Sequence, residues 1–321
     1  EVFFRGARLT SGKTNKTGWV DFRLDRGNYT FKAFWKGVQV GVLENQSVAG
    51  NATEYVLKKM FSIECALAHI TIAIIDEAYP PNLLPFIDVT LKSDKTGTLR
   101  FETNYTQTER IIAINTFTNT RYTIEARRYG YLFNRTLIEN LTITRWINIT
   151  CPTYTLFAHV LDSQELPLQN VQVAVYEWSS ELLTESGTTN DLGSVAISCT
   201  FGRYKIRVYD FGSGIILNET FINLIKDQLF FVIHCRIYNV DLSVMVKDYF
   251  GNPISNALVK IERENVTHTQ KTGSNGKTSF ENIIGGEVRI SVSVKGKLCE
   301  IRTIYLDEAK AVVFKLDEYV M

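Results

Sequence analysis

Apolar and polar residues alternate with period two along much of this chain. Val195, Ile197 and Cys199 are interleaved with Ala196 and Ser198, Tyr204, Ile206 and Val208 with Lys205 and Arg207, and Val288, Ile290 and Val292 with Arg289 and Ser291. Such alternation sets one face of an extended strand against a core and the other in water, as in a half-buried antiparallel sheet. Helical spacing is scarce, and only 217–228 offers a turn or two of helix. Clusters of Asn, Asp and Gly end at Gly18, Gly193 and Gly276 and supply the positive φ that tight hairpins need. A second glycine follows nine residues later, at Gly27, Gly202 and Gly285. An eight-residue interval then separates Tyr29 from Gly37, Tyr204 from Gly212 and Val288 from Gly296, as it does Tyr122 from Gly130. Many short strands between turn signals predict an all-β chain of antiparallel β-sandwiches.

The pattern repeats. Asp76, Asp162 and Asp248 stand 86 residues apart, each closes an apolar strand-like run, and a proline follows each five residues later (Pro81, Pro167, Pro253). A fixed period of this size predicts tandem copies of one small domain. The copies run 65–150, 151–235 and 236–321, and 1–64 matches the later part of a copy, with 1–18 set against 259–276. That first piece lacks the Asp-to-Pro opening and two strands, which leaves edges and half a core exposed. The expectation is a chain cut from a longer array, or missing strands supplied from elsewhere. The tail, 312–321, reads as a last strand leading into another copy. Junctions are short and apolar, without Gly/Ser or Pro-rich linkers, which predicts a stiff rod. Copy 65–150 departs from the others: Pro80, Pro81 and Pro85 crowd its opening loop, and 103–110 is polar and longer, as in a loop insertion.

The best copy carries Val246-Lys-Asp-Tyr-Phe-Gly-Asn-Pro253, then Thr272-Gly-Ser-Asn-Gly276, then Gly286-Glu-Val-Arg-Ile290. It resembles the carboxypeptidase-regulatory-like domains, whose pattern is Val-x-Asp-x-x-Gly-x-Pro, a Thr/Asp/Gly turn and Gly-x-Tyr-x-Val. Copy 151–235 keeps Asp162, Pro167, Val171, Val175, Gly193, Gly202, Tyr204 and Ile206, and has Glu165 where the first glycine would stand. The resemblance implies a tandem array of Ig-like, transthyretin-like β-sandwich domains. Such domains serve as stalk, spacer and adhesion modules of surface proteins and as accessory domains of secreted enzymes. The signature holds no catalytic residue, so it implies fold and setting more than activity.

Charge and composition narrow the setting. The chain has 321 residues and a net charge of +1, which gives no electrostatic footprint for nucleic acid. The longest apolar run, 66–75, is broken by His69 and Thr71 and falls far short of the roughly 20 residues of a membrane span. Residues 1–5 already read as strand, and no signal peptide is expected within this segment.

Ten Asn-x-Ser/Thr sequons occur, at Asn15, Asn28, Asn45, Asn51, Asn104, Asn134, Asn140, Asn148, Asn218 and Asn265. Composition alone gives roughly three. They point to an N-glycosylated extracellular or cell-surface protein, with glycans covering sheet edges that would otherwise aggregate. The alternative is compositional bias toward Asn and Thr on β-rich surfaces.

The five cysteines are Cys65, Cys151, Cys199, Cys235 and Cys299, with no CxxC pair that would suggest zinc. Cys199 is a candidate disulfide partner of Cys151 or Cys235, and Cys235 of Cys299; an equal reading makes them buried hydrophobes. His69, His159, His234 and His268 fall at unrelated positions, and Glu181 with Glu185 lies in a loop, so no metal, cofactor or catalytic site is expected. Lys247 stands where some sandwiches place a Lys–Asn crosslink, but the last strand carries no Asn. Trp35, Trp146 and Trp178 offer a sugar-binding platform, against the preferred reading that Trp35 and Trp146 face a core or a junction. The expected function is structural and not enzymatic: a rod-like repeat segment of a stalk, surface layer, adhesin or filament. Its expected partners are copies of itself or other surface proteins. The alternative is an accessory or carbohydrate-binding region of a larger secreted enzyme.

Overall fold

The structure, a computed structural model, describes residues 1–49, 59–78, 80–95, 97–103 and 111–317. The described residues form β-strands joined by turns and no α-helix, in two compact units, Glu1–Cys151 and Pro152–Met321.

The first unit opens with a single antiparallel sheet. Strands β1 (Val2–Phe4), β2 (Ala7–Thr10), β3 (Gly27–Trp35) and β4 (Val38–Val48) lie in the order β2-β1-β3-β4. Val2, Tyr29 and Phe31 are buried on its inner face, where Phe22, Leu24, Phe61 and Ile63 pack half-buried from segments outside the sheet. The rest of this unit is a seven-stranded sandwich of β5 (Leu67–Ile75), β6 (Ile87–Ser93), β7 (Gly97–Thr103), β8 (Ile111–Phe117), β9 (Tyr122–Arg128), β10 (Tyr131–Ile138) and β11 (Arg145–Thr150). Its sheets run β10-β9-β6-β7 and β11-β5-β8. Ile70, Ile72 and Ile74 of β5 and Ile87, Val89 and Leu91 of β6 are buried, one residue in two, as the alternation predicts, with the small Ala73 buried between Ile72 and Ile74 as well. The Tyr122 hydroxyl ties the two sheets by accepting the Phe117 N–H (2.9 Å) and donating to the Phe117 carbonyl (3.0 Å).

The second unit holds two more sandwiches with the same strand order. One comprises β12 (Thr153–Leu161), β13 (Val171–Glu177), β14 (Leu183–Thr188), β15 (Ser194–Thr200), β16 (Gly202–Asp210), β17 (Ile216–Leu224) and β18 (Gln228–His234), in sheets β15-β12-β18 and β14-β13-β16-β17. The other comprises β19 (Val240–Lys247), β20 (Leu258–Arg263), β21 (Val266–Lys271), β22 (Lys277–Ile283), β23 (Gly286–Val294), β24 (Lys297–Leu306) and β25 (Lys310–Lys315), in sheets β22-β19-β25 and β21-β20-β23-β24. Each has one core fed by both of its sheets. In every three-stranded sheet the first strand (β5, β12, β19) is central, antiparallel to one neighbour (β8, β15, β22) and parallel to the last strand (β11, β18, β25).

Four sequence expectations change. The helix at 217–228 is instead strand β17 through Leu224, because Leu217, Ile222 and Leu224 reach the core from an extended chain. The match of 1–18 to 259–276 slips by one residue. Val2 pairs with Phe31 as Ile261 pairs with Ile290, and one extra residue in β2, Leu9, bulged between Arg8 and Thr10, disguises the offset. Pro81 is not the partner of Pro167 and Pro253. Those prolines bridge Leu161 and Lys247, whereas Leu83 bridges Ile75, because the first loop is two residues longer. Gly37, Gly130 and Gly296 close two-residue hairpins at positive φ (80°, 84° and 80°), but Gly212 does not; a longer link puts Gly214 at φ 73° in its stead.

Candidate functional site

The repeated aspartate is a structural hub. Its run ends the central strand, where the chain must cross from the three-stranded sheet to the four-stranded one. The Asp162 Oδ1 accepts the N–H groups of Gln164 (2.8 Å) and Leu166 (2.9 Å). Asp248 Oδ1 accepts the Asn252 N–H (2.7 Å), and Asp76 Oδ1 accepts those of Ala78 (3.1 Å) and Asn82 (2.8 Å). Each carboxylate thus satisfies backbone donors that the loop cannot pair internally. Gly251 sits in this loop at φ 93°, and Glu165, its counterpart, holds φ 63°. The recurrent turn glycines serve the same hub. A Cβ on Gly193 would meet the Val160 carbonyl at 2.7 Å and the Pro167 Cα at 3.1 Å, and one on Gly276 would meet the Val246 carbonyl at 2.7 Å and the Pro253 Cβ at 2.8 Å. The Asp–Pro opening and the glycine turn, about 30 residues apart in sequence, are therefore one packed feature.

Within the second unit the hub also joins neighbouring sandwiches. Asn239 Nδ2 donates to the Asp162 Oδ2 (2.9 Å), the Ser163 N–H to the Tyr238 carbonyl (3.1 Å), and the Ser163 hydroxyl to the Asn239 carbonyl (2.8 Å). Tyr238 and Ile284 pack half-buried on the core of the preceding sandwich. Connector 236–239 is thus pinned by its backbone and by its side chains.

Eight of the ten sequons lie in described residues; Asn51 and Asn104, and residues 104–110 of the polar insertion, lie outside them. Asn15, Asn28, Asn45, Asn140, Asn148 and Asn265 are exposed, and Asn134 and Asn218 are half-buried. Asn45 in β4, Asn134 in β10, Asn148 in β11 and Asn218 in β17 stand on strands at the ends of their sheets. Asn218 and Asn265 differ in that the Nδ2, the atom a glycan would occupy, donates to a backbone carbonyl, that of His234 at 2.9 Å and that of Ser213 at 3.2 Å.

The remaining candidates do not converge. Cys151 and Cys235 are buried, Cys65 is exposed and Cys299 is intermediate, all four as free thiols, so none of the three disulfide pairings is formed; Cys199 lies in the same core as Cys235. Burial pushes the Cys151 and Cys235 thiols up to about 12. His69 meets Asn115 (2.9 Å), His159 meets Ser194 (3.1 Å) and His234 meets Glu165 (3.2 Å), each as an isolated pair. Among the described residues no three His, Cys, Asp or Glu side chains are grouped to hold a metal. Glu181 serves surface ion pairs with Lys205 (2.6 Å) and Arg207 (3.6 Å), apart from Glu185 on β14. Opposite Lys247 in the parallel ladder stands Lys315, which offers no crosslink partner.

Trp35 packs edge-on against Phe117 at 5.0 Å, and Trp178 lies under Arg203 at 3.8 Å. Trp146 contradicts the expectation of a core or junction position. It is 58% exposed, because it lies on the outward face of edge strand β11, where its Nε1 donates to the Asn148 Oδ1 (2.6 Å). Sequence reasoning also missed Glu125, which is 1% exposed in β9 and is held by Lys92 (3.0 Å), Arg127 (2.8 Å) and Arg135 (2.7 Å). Hydrogen bonds from Lys92 and Arg127 lead in lowering its carboxyl to about 2, against the opposing effect of burial.

No family model matches the chain, and no curated protein matches it. Among solved structures it is similar to the Bacillus anthracis TIE protein, at 15% identity and a TM-score of 0.33, over 91% of this chain and 57% of that one. It is also similar to GBS52, the minor pilin of Streptococcus agalactiae, at 13% identity and a TM-score of 0.38, over 51% and 94% of the two chains. A third is BcpA, the major pilin subunit of Bacillus cereus, at 8% identity and a TM-score of 0.25, over 79% and 100%. The chain thus spans just over half the length of the first of these. At such scores the likeness carries no inference about function, and the fold rests on the sheets themselves.

Proposed function

We propose that this chain is the repeat segment of an extracellular structural glycoprotein, a stalk, surface-layer element, adhesin or filament whose partners are copies of itself or other surface proteins. On this reading 1–64, 65–150, 151–235 and 236–321 are successive copies of a carboxypeptidase-regulatory-like, transthyretin-like β-sandwich, and length is what they provide. The observation that carries it is the placement of sequons on sheet ends: Asn45, Asn134 and Asn148 lie on edge strands, where unpaired backbone groups invite aggregation and a glycan blocks approach. The pinned connector 236–239 supports stiffness within the second unit. Glycopeptide mass spectrometry of the native protein tests the glycoprotein reading. Glycan on Asn45, Asn140 and Asn148 is expected, with Asn218 bare because its Nδ2 is engaged; bare asparagine at every exposed sequon overturns it. Electron microscopy of the same material then separates filament from lattice and from single stalks.

The exposed Trp146 favours a second reading, a carbohydrate-binding region of a secreted enzyme, since an open indole face stacks on sugar rings. Glycan-array binding abolished by Trp146→Ala is its expected result, and an array without binding removes it.

A further inference from the structure

We propose that Asn265 is a clasp between the two sandwiches of the second unit and that its sequon makes the clasp releasable: bare, the side chain holds their join closed, and glycosylated, it lets the join open about connector 236–239. The release rests on the glycoprotein reading above, whereas the clasp does not. Arg263 pairs with Val266, so Glu264 and Asn265 form the two-residue turn between β20 and β21. This turn meets the link between β16 and β17 of the preceding sandwich. There the Asn265 Nδ2 donates to the Ser213 carbonyl (3.2 Å) and the Arg263 Nη2 to the Ile216 carbonyl (3.5 Å), while Val266 packs half-buried on that sandwich's core. The link is itself braced, because the Asp210 Oδ2 accepts both the N–H and the hydroxyl of Ser213, each at 2.7 Å. The Ser213 carbonyl is thus presented at a fixed point. Arg263 directs the turn less well, since 3.5 Å is a long hydrogen bond and its Nη1 is buried without a partner. Asn265 is the shorter polar tie of the two.

The other hold on this join is the connector, tied through Asp162 and Ser163 on one side and by the Gly285 N–H, which donates to the Ile237 carbonyl (2.6 Å), on the other. Beside the turn lies a cleft of about 480 Å³, lined by Asp210 and Ser213 from one sandwich, His268 and Asn282 from the other, and Tyr238 from the connector. Because these walls are polar, widening the cleft wets groups that water satisfies, and the turn gives up chiefly the cover of Val266. The join therefore opens more cheaply at the turn than at the connector. Asn218 makes its bond from a half-buried position, but Asn265 is exposed, and so is Thr267, which completes the sequon. Transfer of a sugar from an activated, phosphate-linked donor forms a bond from the sugar C1 to Nδ2 and breaks the C1–O bond to the phosphate, which departs. One of the two amide hydrogens is lost as a proton. A sugar ring on Nδ2 does not fit between that nitrogen and a carbonyl oxygen 3.2 Å away, so the turn must leave the link, and the polar cleft gives the ring room.

Hydrogen exchange on the full-length chain, read over 211–217 and 264–268 and combined with glycopeptide mapping of the same sample, tests both halves. In unglycosylated chain, Asn265→Asp keeps the size and turn preference of the residue but lacks the donor. It is expected to speed exchange about threefold or more in both stretches, with 236–239 unchanged. Thr267→Val removes the sequon, keeps Asn265 and is expected to exchange as slowly as the bare wild type. Wild-type chain carrying a glycan on Asn265 is expected to match Asn265→Asp, and Thr267→Val made in the same cells to return to the slow rate. Asn265→Asp exchanging like the wild type overturns the clasp. Glycosylated chain exchanging as slowly as bare chain overturns the release, and so does mapping that finds Asn45, Asn140 and Asn148 occupied and Asn265 always bare; the glycoprotein reading survives both results. Mapping that finds no glycan on any sequon sinks that reading and the release with it, and the clasp is then decided by Asn265→Asp alone.

Discussion

At the scale of single residues, the hub around the repeated aspartate is the most sensitive point. Gly276 combines positive φ with a carbonyl 2.7 Å from where a Cβ would stand. Gly276→Ala therefore adds a clash with backbone to the conformational penalty, and a loss of about 2–4 kcal/mol is expected. Gly18→Ala meets only the φ penalty, about 1 kcal/mol. Thermal denaturation of the two variants checks the contrast, which fails if they cost the same. Glu125 makes the acid limb. Its carboxyl is held at about 2, below the 4.5 of an ordinary glutamate, so its stabilisation is present above pH 4.5 and is lost as pH falls toward 2. Glu125→Gln is expected to flatten that limb and to cost about 2 kcal/mol at neutral pH, a figure moderated by the solvent exposure of Lys92 and Arg135. The thiols act at the other end. Cys151 and Cys235 ionise near 12 when folded but near 9 when unfolded, so stability they confer below pH 9 falls away as pH rises to 12. Alkylation at pH 8.5 is expected to modify Cys65 well before either, and equal rates would show the cores to be open.

At the scale of elements, much was legible and the misses have physical causes. Period-two alternation located the strands because each sheet buries a single face, so the code is written on every second residue. Hairpin glycines were legible at Gly37, Gly130 and Gly296, where only two residues turn the chain, and misleading at Gly212, where a longer link needs no positive φ at that position. The register of β1 slipped because the bulged residue Leu9 in β2 restored the match from Thr10 to Gly18, and in a strand a slip of one exchanges inner and outer faces. Glu125 was invisible for a different reason. Its burial comes from Lys92, 33 residues earlier on β6, and from Arg135 opposite it on β10, and only the sheet order brings those strands beside β9. Edge placement of the sequons likewise depends on sheet order, which no local pattern encodes.

At the scale of the whole molecule, the described sheets bury cores of unequal size, and stability should follow core size. The cores of the two sandwiches in the second unit bury 19 and 17 apolar residues, whereas the core cluster of the first sheet buries three, with Val40 of β4 buried besides. Each fully buried Val, Leu, Ile or Phe contributes about 1.5–3 kcal/mol, so the first sheet has little to set against the entropy of ordering its chain. It also keeps Trp19 at 54% exposure beside the half-buried Phe22. Residues 1–49 are therefore expected to open first, in a separate low-temperature transition, while 152–317 holds. Limited proteolysis with mass mapping checks this: early cuts should fall within 11–26, in the segment outside the ladder, and later ones in the links of the other sandwiches. A single transition, with cuts appearing at equal rates in all four repeats, would show that the first sheet draws stability from its neighbour in the same unit. The Trp35–Phe117 contact and the bond from the Ala66 N–H to the Val40 carbonyl (2.6 Å) are places where it would do so. Trp35→Ala then distinguishes the cases, lowering the common transition if the repeats are coupled and only the first if they are not.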